Sequence, residues 1–75
     1  ERETRMADKV YAVTKVVGTS KKSIEGAIEN AVETASESLK NLDWFEVVET
    51  RGYIENGKVA WYQAAIEIGF RYEKK

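Results

Sequence analysis

The sequence predicts an α+β fold of order β-α-β-β, in which a three-stranded antiparallel sheet packs on one helix. Three observations predict it: a segment rich in β-branched residues near the start, a helical stripe of apolar residues after it, and two long alternating segments joined by Asn-Gly. The 75 residues suffice for one domain, but a domain of this size buries only about 60% of its unfolded surface. Such a domain usually gains stability from a disulfide, a metal ion or a partner subunit.

The first strand is expected over residues 9–17, KVYAVTKVV, where valine is frequent. Neither face of this strand is polar, so we expect both faces of the sheet to be covered. Gly18-Thr19-Ser20 should end the strand, with Thr19 or Ser20 as the N-cap of the helix.

The helix is expected from residue 21 to about residue 39, and Asn41 should follow it in the left-handed conformation. Four glutamates stand four residues apart on one side of it, and we interpret them as a solvated polar face rather than as cation ligands. They are Glu25, Glu29, Glu33 and Glu37, and the apolar stripe consists of Ile24, Ala27, Ile28, Ala31, Val32, Ala35 and Leu39.

The second and third strands are expected over residues 44–54 and 59–72. They are joined by Asn56-Gly57, the strongest short hairpin signal, because both central positions of a type I′ turn need positive φ. Phe45 and Val47 share one face of the second strand, and if they join the core, Trp44 points away from the helix. The face of the third strand that packs on the helix should consist of Tyr62, Ala64, Ile66, Ile68 and Phe70.

Composition excludes several classes of function. The chain has no Cys and no His, which removes disulfides, thiolate or imidazole metal sites, and Ser-His-Asp or Cys-His catalysis. The segment GTSKKS lacks the second glycine of a P-loop. We therefore predict that the protein is not an enzyme and has no metal site.

Charge and hydropathy set further expectations. The net charge of −1 lacks the basic excess of a nucleic-acid binder, and nothing approaches the length of a membrane span. No apolar run follows the charged start, so we expect a cytoplasmic protein without a signal peptide. Residues 1–5, which precede Met6, are interpreted as upstream or expression-derived sequence, and residues 6–75 as a single domain.

A tryptophan, an arginine and a glutamine on the two long strands are the candidate binding residues. Trp44 should point away from the helix, and a large indole there needs an interface or a ligand. Gln63 shares that face and offers donors and an acceptor to the edge of a heterocycle. Arg51 falls on the opposite alternation unless the strand bulges near Val47 and Val48. Taken alone, the residues favour a subunit contact, with ligand stacking as the alternative.

A third interpretation is a small sheet that binds single-stranded nucleic acid. Trp44, Tyr53 and Trp61 would be its stacking platforms. The near-neutral charge argues against it, because such binding depends on neutralising phosphates.

Two segments resemble the bacterial dodecin family: VVGTSKKSIEGAIENAVETASESLKNLDWFEVVETRG and VAWYQAAIEIGFR. The resemblance spans residues 9–73, and its most specific parts are GTS, LDWFEV, TRG, YQ and GFR. It implies a subunit that assembles into a hollow homododecamer, with no protein, nucleic-acid or membrane partner. The assembly would bind FMN or riboflavin for storage, sequestration and photoprotection, without catalysis.

The resemblance also implies roles for individual residues. Trp44 would stack on the isoalloxazine ring, with two flavins held between paired tryptophans. Gln63 would hydrogen-bond the pyrimidine edge, and Arg51 would lie near the ribityl chain or phosphate. Some bacterial members also bind coenzyme A, and Arg71 and Lys9 would contact that phosphate ligand. An oligomeric interaction module without flavin, or a coenzyme A-binding assembly, are the alternatives.

One residue departs from the family pattern at the edge of the implied pocket. Trp61 stands where histidine or a polar residue is frequent, so the pocket rim or an adjoining interface is expected to differ here.

Overall fold

The computed structural model describes residues 9–72 and has the predicted order β-α-β-β. The elements are β1 Tyr11–Ser20, α1 Ile24–Ala35, β2 Leu42–Glu55 and β3 Lys58–Arg71. The strands form one antiparallel sheet of order β1-β3-β2, with the helix on one face. The predicted fold class is confirmed, and the segment 1–5 lies outside the described residues.

The junction between β1 and α1 differs from the prediction. The strand continues through Gly18 to Ser20, and the N-cap is Ser23, whose Oγ accepts a 2.9 Å hydrogen bond from the Gly26 N–H. Gly18 is buried, and a Cβ there would overlap the Ala27 carbonyl oxygen. The glycine therefore permits close approach of strand and helix, and the expectation that it ends the strand was wrong.

The end of the helix also differs from the prediction. The helix stops at Ala35, not near residue 39, and Ser36 closes it by donating its N–H to the Val32 carbonyl at 2.9 Å. Asn41 has a φ of 63°, as expected, but it initiates β2 rather than ending the helix. Its carbonyl accepts the Arg71 N–H at 2.9 Å and so joins β2 to the end of β3.

The hairpin turn is the one that Asn-Gly predicts. Asn56 and Gly57 have φ values of 54° and 75°, the positive pair that a type I′ turn needs. Glu55 and Lys58 are register partners on either side. The turn fixes the register of the first pairs, and an irregularity between Tyr53 and Ile54 then shifts it.

The core lies between α1 and strands β1 and β3. Of the apolar side chains, Ile66 and Ile68 are the largest that are fully buried, and the helix faces them with small residues. The helix therefore packs closely on the sheet, because the small alanine side chains allow the two backbones to approach each other. The buried apolar residues are Ala27, Ala31, Ala35, Ala64, Ile66 and Ile68.

Much of the hairpin extends beyond this core. Phe45 and Val47 lie on the helix side of β2 but remain 49% and 42% exposed, so they do not join the core of a single chain. The helix packs on β1 and β3 and leaves β2 uncovered. The radius of gyration is 16.1 Å, against about 11 Å for a compact domain of this length. A single chain thus exposes apolar surface on both faces of its sheet.

Within residues 9–72, no helix has both the length and the apolar character needed to cross a membrane.

We expect Gly18→Ala to destabilise the protein by about 1–3 kcal/mol, because the added Cβ would stand 2.8 Å from the Ala31 Cβ and overlap the helix backbone. Gly52→Ala is the matched control, since its Cβ would find its nearest atom at 3.7 Å. Denaturant unfolding at equal protein concentration compares the two variants. Equal stability of the variants would contradict the assigned role of Gly18.

Candidate functional site

Two β-bulges determine which side chains of β2 share the face away from the helix, called here the outer face. The register shifts between Leu42 and Trp44 and again between Val47 and Glu49. The first shift directs Leu42 toward the core while Trp44 points outward opposite Gly69. The second makes Arg51 the partner of Gln63. The bulge that sequence reasoning required is present, so Trp44, Arg51 and Gln63 all lie on the outer face.

The indole of Trp44 lies flat on β3 at Gly69. A Cβ at Gly69 would overlap the ring and stand 2.6 Å from the indole Nε1. The Tyr11 ring approaches the indole from β1, with centroids 6.3 Å apart and planes inclined by 58°. The opposite face of the indole is open, and Trp44 remains 41% exposed. We call Trp44, Gly69 and Tyr11 the Trp44 cluster.

Polar side chains lie beside the Trp44 cluster at the end of the sheet. The Arg71 guanidinium donates a 3.3 Å hydrogen bond to Asn41 Oδ1 and lies 3.8 Å from the Asp43 carboxylate. Desolvation raises the pKa of the Tyr11 phenol, and a hydrogen bond to Asp43 raises it further, so the phenol stays protonated at neutral pH. Lys9 is exposed just before β1. Of the two predicted phosphate contacts, Arg71 is thus already paired within the chain.

A second group of side chains lies on the outer face nearer the hairpin turn. Arg51 donates a hydrogen bond to the Glu49 carboxylate, and Glu49 with the Tyr53 oxygen raises the arginine pKa, so the guanidinium is charged at every working pH. Its cross-strand partner is Gln63. The next pair on the outer face toward the hairpin turn consists of Tyr53 and Trp61, whose rings are stacked with centroids 3.9 Å apart. We call Arg51, Gln63, Tyr53 and Trp61 the Arg51 cluster.

The two clusters are well separated within one chain. Trp44 pairs with Gly69 and Arg51 pairs with Gln63, so the two pairs are six positions apart along β3. At about 3.3 Å per residue, this distance is roughly 20 Å. The three predicted binding residues therefore share a face but not a pocket, and one planar ligand can touch both clusters only if two chains contribute.

Sequence reasoning missed Gly69 and Tyr11 as parts of the site. Gly69 had a detectable signal, since a glycine inside a strand often marks the close approach of another group. Tyr11 had none, because its contact with Trp44 depends on the strand order β1-β3-β2, which places it opposite Arg71. The Tyr53–Trp61 stack likewise depends on the exact register.

An apolar groove of about 440 Å³ runs between the helix and β2. Ile28, Val32 and Phe45 line it, and carboxylates from the glutamate row stand along it. Among residues 9–72, no three acidic side chains are grouped closely enough to hold a metal ion. The carboxylates along the groove are those of Glu25, Glu29 and Glu33. The groove is thus another apolar surface that a single chain leaves open.

Comparison with known proteins gives consistent relatives. The family model described as Dodecin matches residues 10–73. The dodecin of Thermus thermophilus is 47% identical over 66 residues, which cover 88% of this chain and 96% of the relative. The dodecin structure from Streptomyces coelicolor is 48% identical, has a TM-score of 0.87, and matches 93% of this chain and all of its own.

Other similar solved structures are of substituted variants and of a dodecin described as binding calcium. Variants of the Thermus thermophilus dodecin with a tryptophan replaced by phenylalanine, or either of two arginines by alanine, are 44–45% identical to this chain. They match 89–91% of it and 100% of their own length, with TM-scores of 0.84–0.86. A Mycobacterium tuberculosis protein described as calcium dodecin, with a novel calcium-binding site, is 30% identical with a TM-score of 0.74, over 88% of this chain and 94% of its own. Sequence, fold and coverage agree, and the chain belongs to the dodecin family.

Proposed function

We propose that the protein is a homo-oligomer that binds FMN or riboflavin between its subunits and stores or sequesters it without turnover. The open face of the Trp44 indole is the observation that carries this proposal. The indole is backed by Gly69 and flanked by Tyr11, so it presents a fixed, flat, apolar platform to the outside. A stacked flavin would occupy that platform, and electron transfer from the indole would quench its excited state.

The Arg51 cluster supports a flavin rather than a simple apolar ligand. Gln63 can read the donor and acceptor edge of a heterocycle, and the charged Arg51 suits a phosphate or ribityl oxygen. Since the clusters lie about 20 Å apart along β3, Trp44 of one chain and the Arg51 cluster of another would together hold the ligand. A second tryptophan stacked across the interface would complete the aromatic sandwich.

The solved Thermus variants support the choice of residues. In that chain the substituted tryptophan and two arginines stand seven and then twenty positions apart. Trp44, Arg51 and Arg71 have the same spacing here. The three residues thus correspond in type and spacing to positions chosen for substitution in a relative that is about 45% identical.

Exposed apolar surface supports the oligomer. On the outer face Val13 and Val17 are 52% and 53% exposed, and the groove beside Phe45 is open. Surfaces of this extent are unfavourable in water, and a dodecamer, the assembly that the family resemblance implies, would bury them. An oligomeric module without flavin, and a coenzyme A-binding assembly using Lys9 and Arg71, remain as outcomes of the tests below.

We expect the purified protein to elute from a calibrated sizing column near twelve times its chain mass of 8.5 kDa. The physical reason is the two-sided exposure of its sheet. Light scattering gives the mass independently of shape, which matters for an elongated chain. Elution as a monomer at micromolar concentration would refute both the oligomer and the two-chain site.

Trp44→Ala should weaken riboflavin binding by about 10-fold to 100-fold and reduce flavin quenching, because one stacked ring contributes about 1–3 kcal/mol. Trp44→Phe should give an intermediate affinity with weaker quenching. Tyr72→Ala, which removes another exposed aromatic ring, is the control and should bind as the wild type does. Titration followed by flavin fluorescence measures all three. An oligomer that leaves riboflavin emission unchanged would remove the flavin proposal, and coenzyme A binding in the same preparation would support that alternative.

Arg51→Gln should weaken FMN binding about 3-fold to 10-fold while changing riboflavin binding little, since only FMN carries a phosphate. Glu49→Gln should strengthen FMN binding, because it removes the carboxylate charge that would repel the phosphate beside Arg51. The preference for FMN should rise between pH 5 and 7 as the phosphate loses its second proton near pH 6, and should rise less in Arg51→Gln. Lys58→Gln is the charge-matched control. Equal losses for FMN and riboflavin would place Arg51 away from the phosphate.

A further inference from the structure

We propose that Trp61, stacked on Tyr53, is a second aromatic contact of the flavin site and supports both its affinity and its quenching. The inference rests on the proposed function and adds to it a residue outside the pattern by which the chain resembles its relatives. The observation behind it is the position of the Tyr53–Trp61 stack beside Arg51 and Gln63 on the outer face.

The register places Trp61 next to the polar groups of the site. Trp61 and Gln63 lie two residues apart on the same face of β3, which separates their Cα atoms by about 7 Å. A flavin ring whose edge hydrogen-bonds the Gln63 amide would therefore reach the indole. Aromatic rings attract each other at centroid separations of about 4.5–7 Å.

Contacts within the cluster hold its side chains in place before a ligand arrives. Tyr53 covers one side of the Trp61 indole, with centroids 3.9 Å apart and planes inclined by 23°. Glu49 holds the Arg51 guanidinium from the same strand. Side chains that are already ordered lose less conformational freedom on binding, so the cluster suits a ligand site.

The stack also has a structural role that the experiment must separate from binding. Cross-strand aromatic pairs stabilise hairpins by themselves, and Tyr53 and Trp61 are direct partners. Trp61→Phe preserves a ring for Tyr53 to contact but removes the indole, whereas Trp61→Val removes the ring and keeps strand propensity. Val59→Ala is the matched control, because Val59 pairs with Ile54 on the same arm of the hairpin but outside the Arg51 cluster.

The test titrates the wild type and these three variants, each as the intact oligomer, with riboflavin and with FMN. The dissociation constants should rise about 3-fold for Trp61→Phe and about 10-fold for Trp61→Val, with the affinity of Val59→Ala unchanged. Thermal unfolding measures the structural contribution in each variant. Unchanged affinity in both Trp61 variants overturns the inference. It is also overturned if Val59→Ala loses affinity in the same proportion to its loss of stability as Trp61→Val does, because the effect of both substitutions would then be structural.

A single-tryptophan variant gives a direct second measurement. The chain has two tryptophans, so in Trp44→Phe the emission of Trp61 is observed alone. FMN should quench that emission in proportion to the bound fraction, and unquenched emission with bound FMN overturns the inference. If the wild-type oligomer binds no flavin, the proposed function itself fails. If it binds flavin and the Trp61 variants match it, only the present inference fails.

Discussion

One helix cannot cover a sheet built from strands longer than itself, and the rest of the molecule depends on this mismatch. The 12 residues of α1 extend about 18 Å, whereas the 14 residues of β2 and of β3 extend about 46 Å each. The helix packs on β1 and β3 and buries a core in which Ile66 and Ile68 are the largest fully buried side chains. The outer face, the β2 side of the groove and the hairpin arm are left without cover. The need for other subunits follows from that shortage, and Trp44 is available because the helix packs on the opposite face of the sheet.

The bulges of β2 determine which side chains lie on this uncovered surface. Without them, strict alternation would place Leu42 and Trp44 on the same face and Arg51 on the other. With them, Leu42 packs against the core, Trp44 lies on Gly69, and Arg51 stands opposite Gln63. Each bulge inserts one unpaired residue and thereby changes the face of everything that follows. The outer face thus collects the aromatic, cationic and amide groups of both long strands.

The sequence was sufficient for the fold class and the hairpin but not for all boundaries. Asn56-Gly57 predicted its turn because positive φ at both positions leaves few alternatives. Gly18 was misinterpreted because a glycine permits a turn and a close approach equally well, and only the docked helix distinguishes them. For the site, alternation identified Trp44 and Gln63 on one face, and the need for a bulge at Arg51 could be stated in advance. The distance between the two clusters could not, because it depends on which residues of β3 each one pairs with.

That distance has a thermodynamic consequence for the proposed site. A ligand that contacts Trp44 of one chain and Arg51 of another binds the assembled state and not the separated chains. Such a ligand stabilises the assembly by RT ln(1 + [L]/Kd), about 2.7 kcal/mol per site at a hundred-fold excess over Kd. The coupling is reciprocal, so assembly strengthens ligand binding by the same free energy by which the ligand strengthens assembly. In the proposed site, therefore, the apolar outer face and the Trp44 platform act together: the face that must be covered for the chain to be stable is also the face on which the ligand is held.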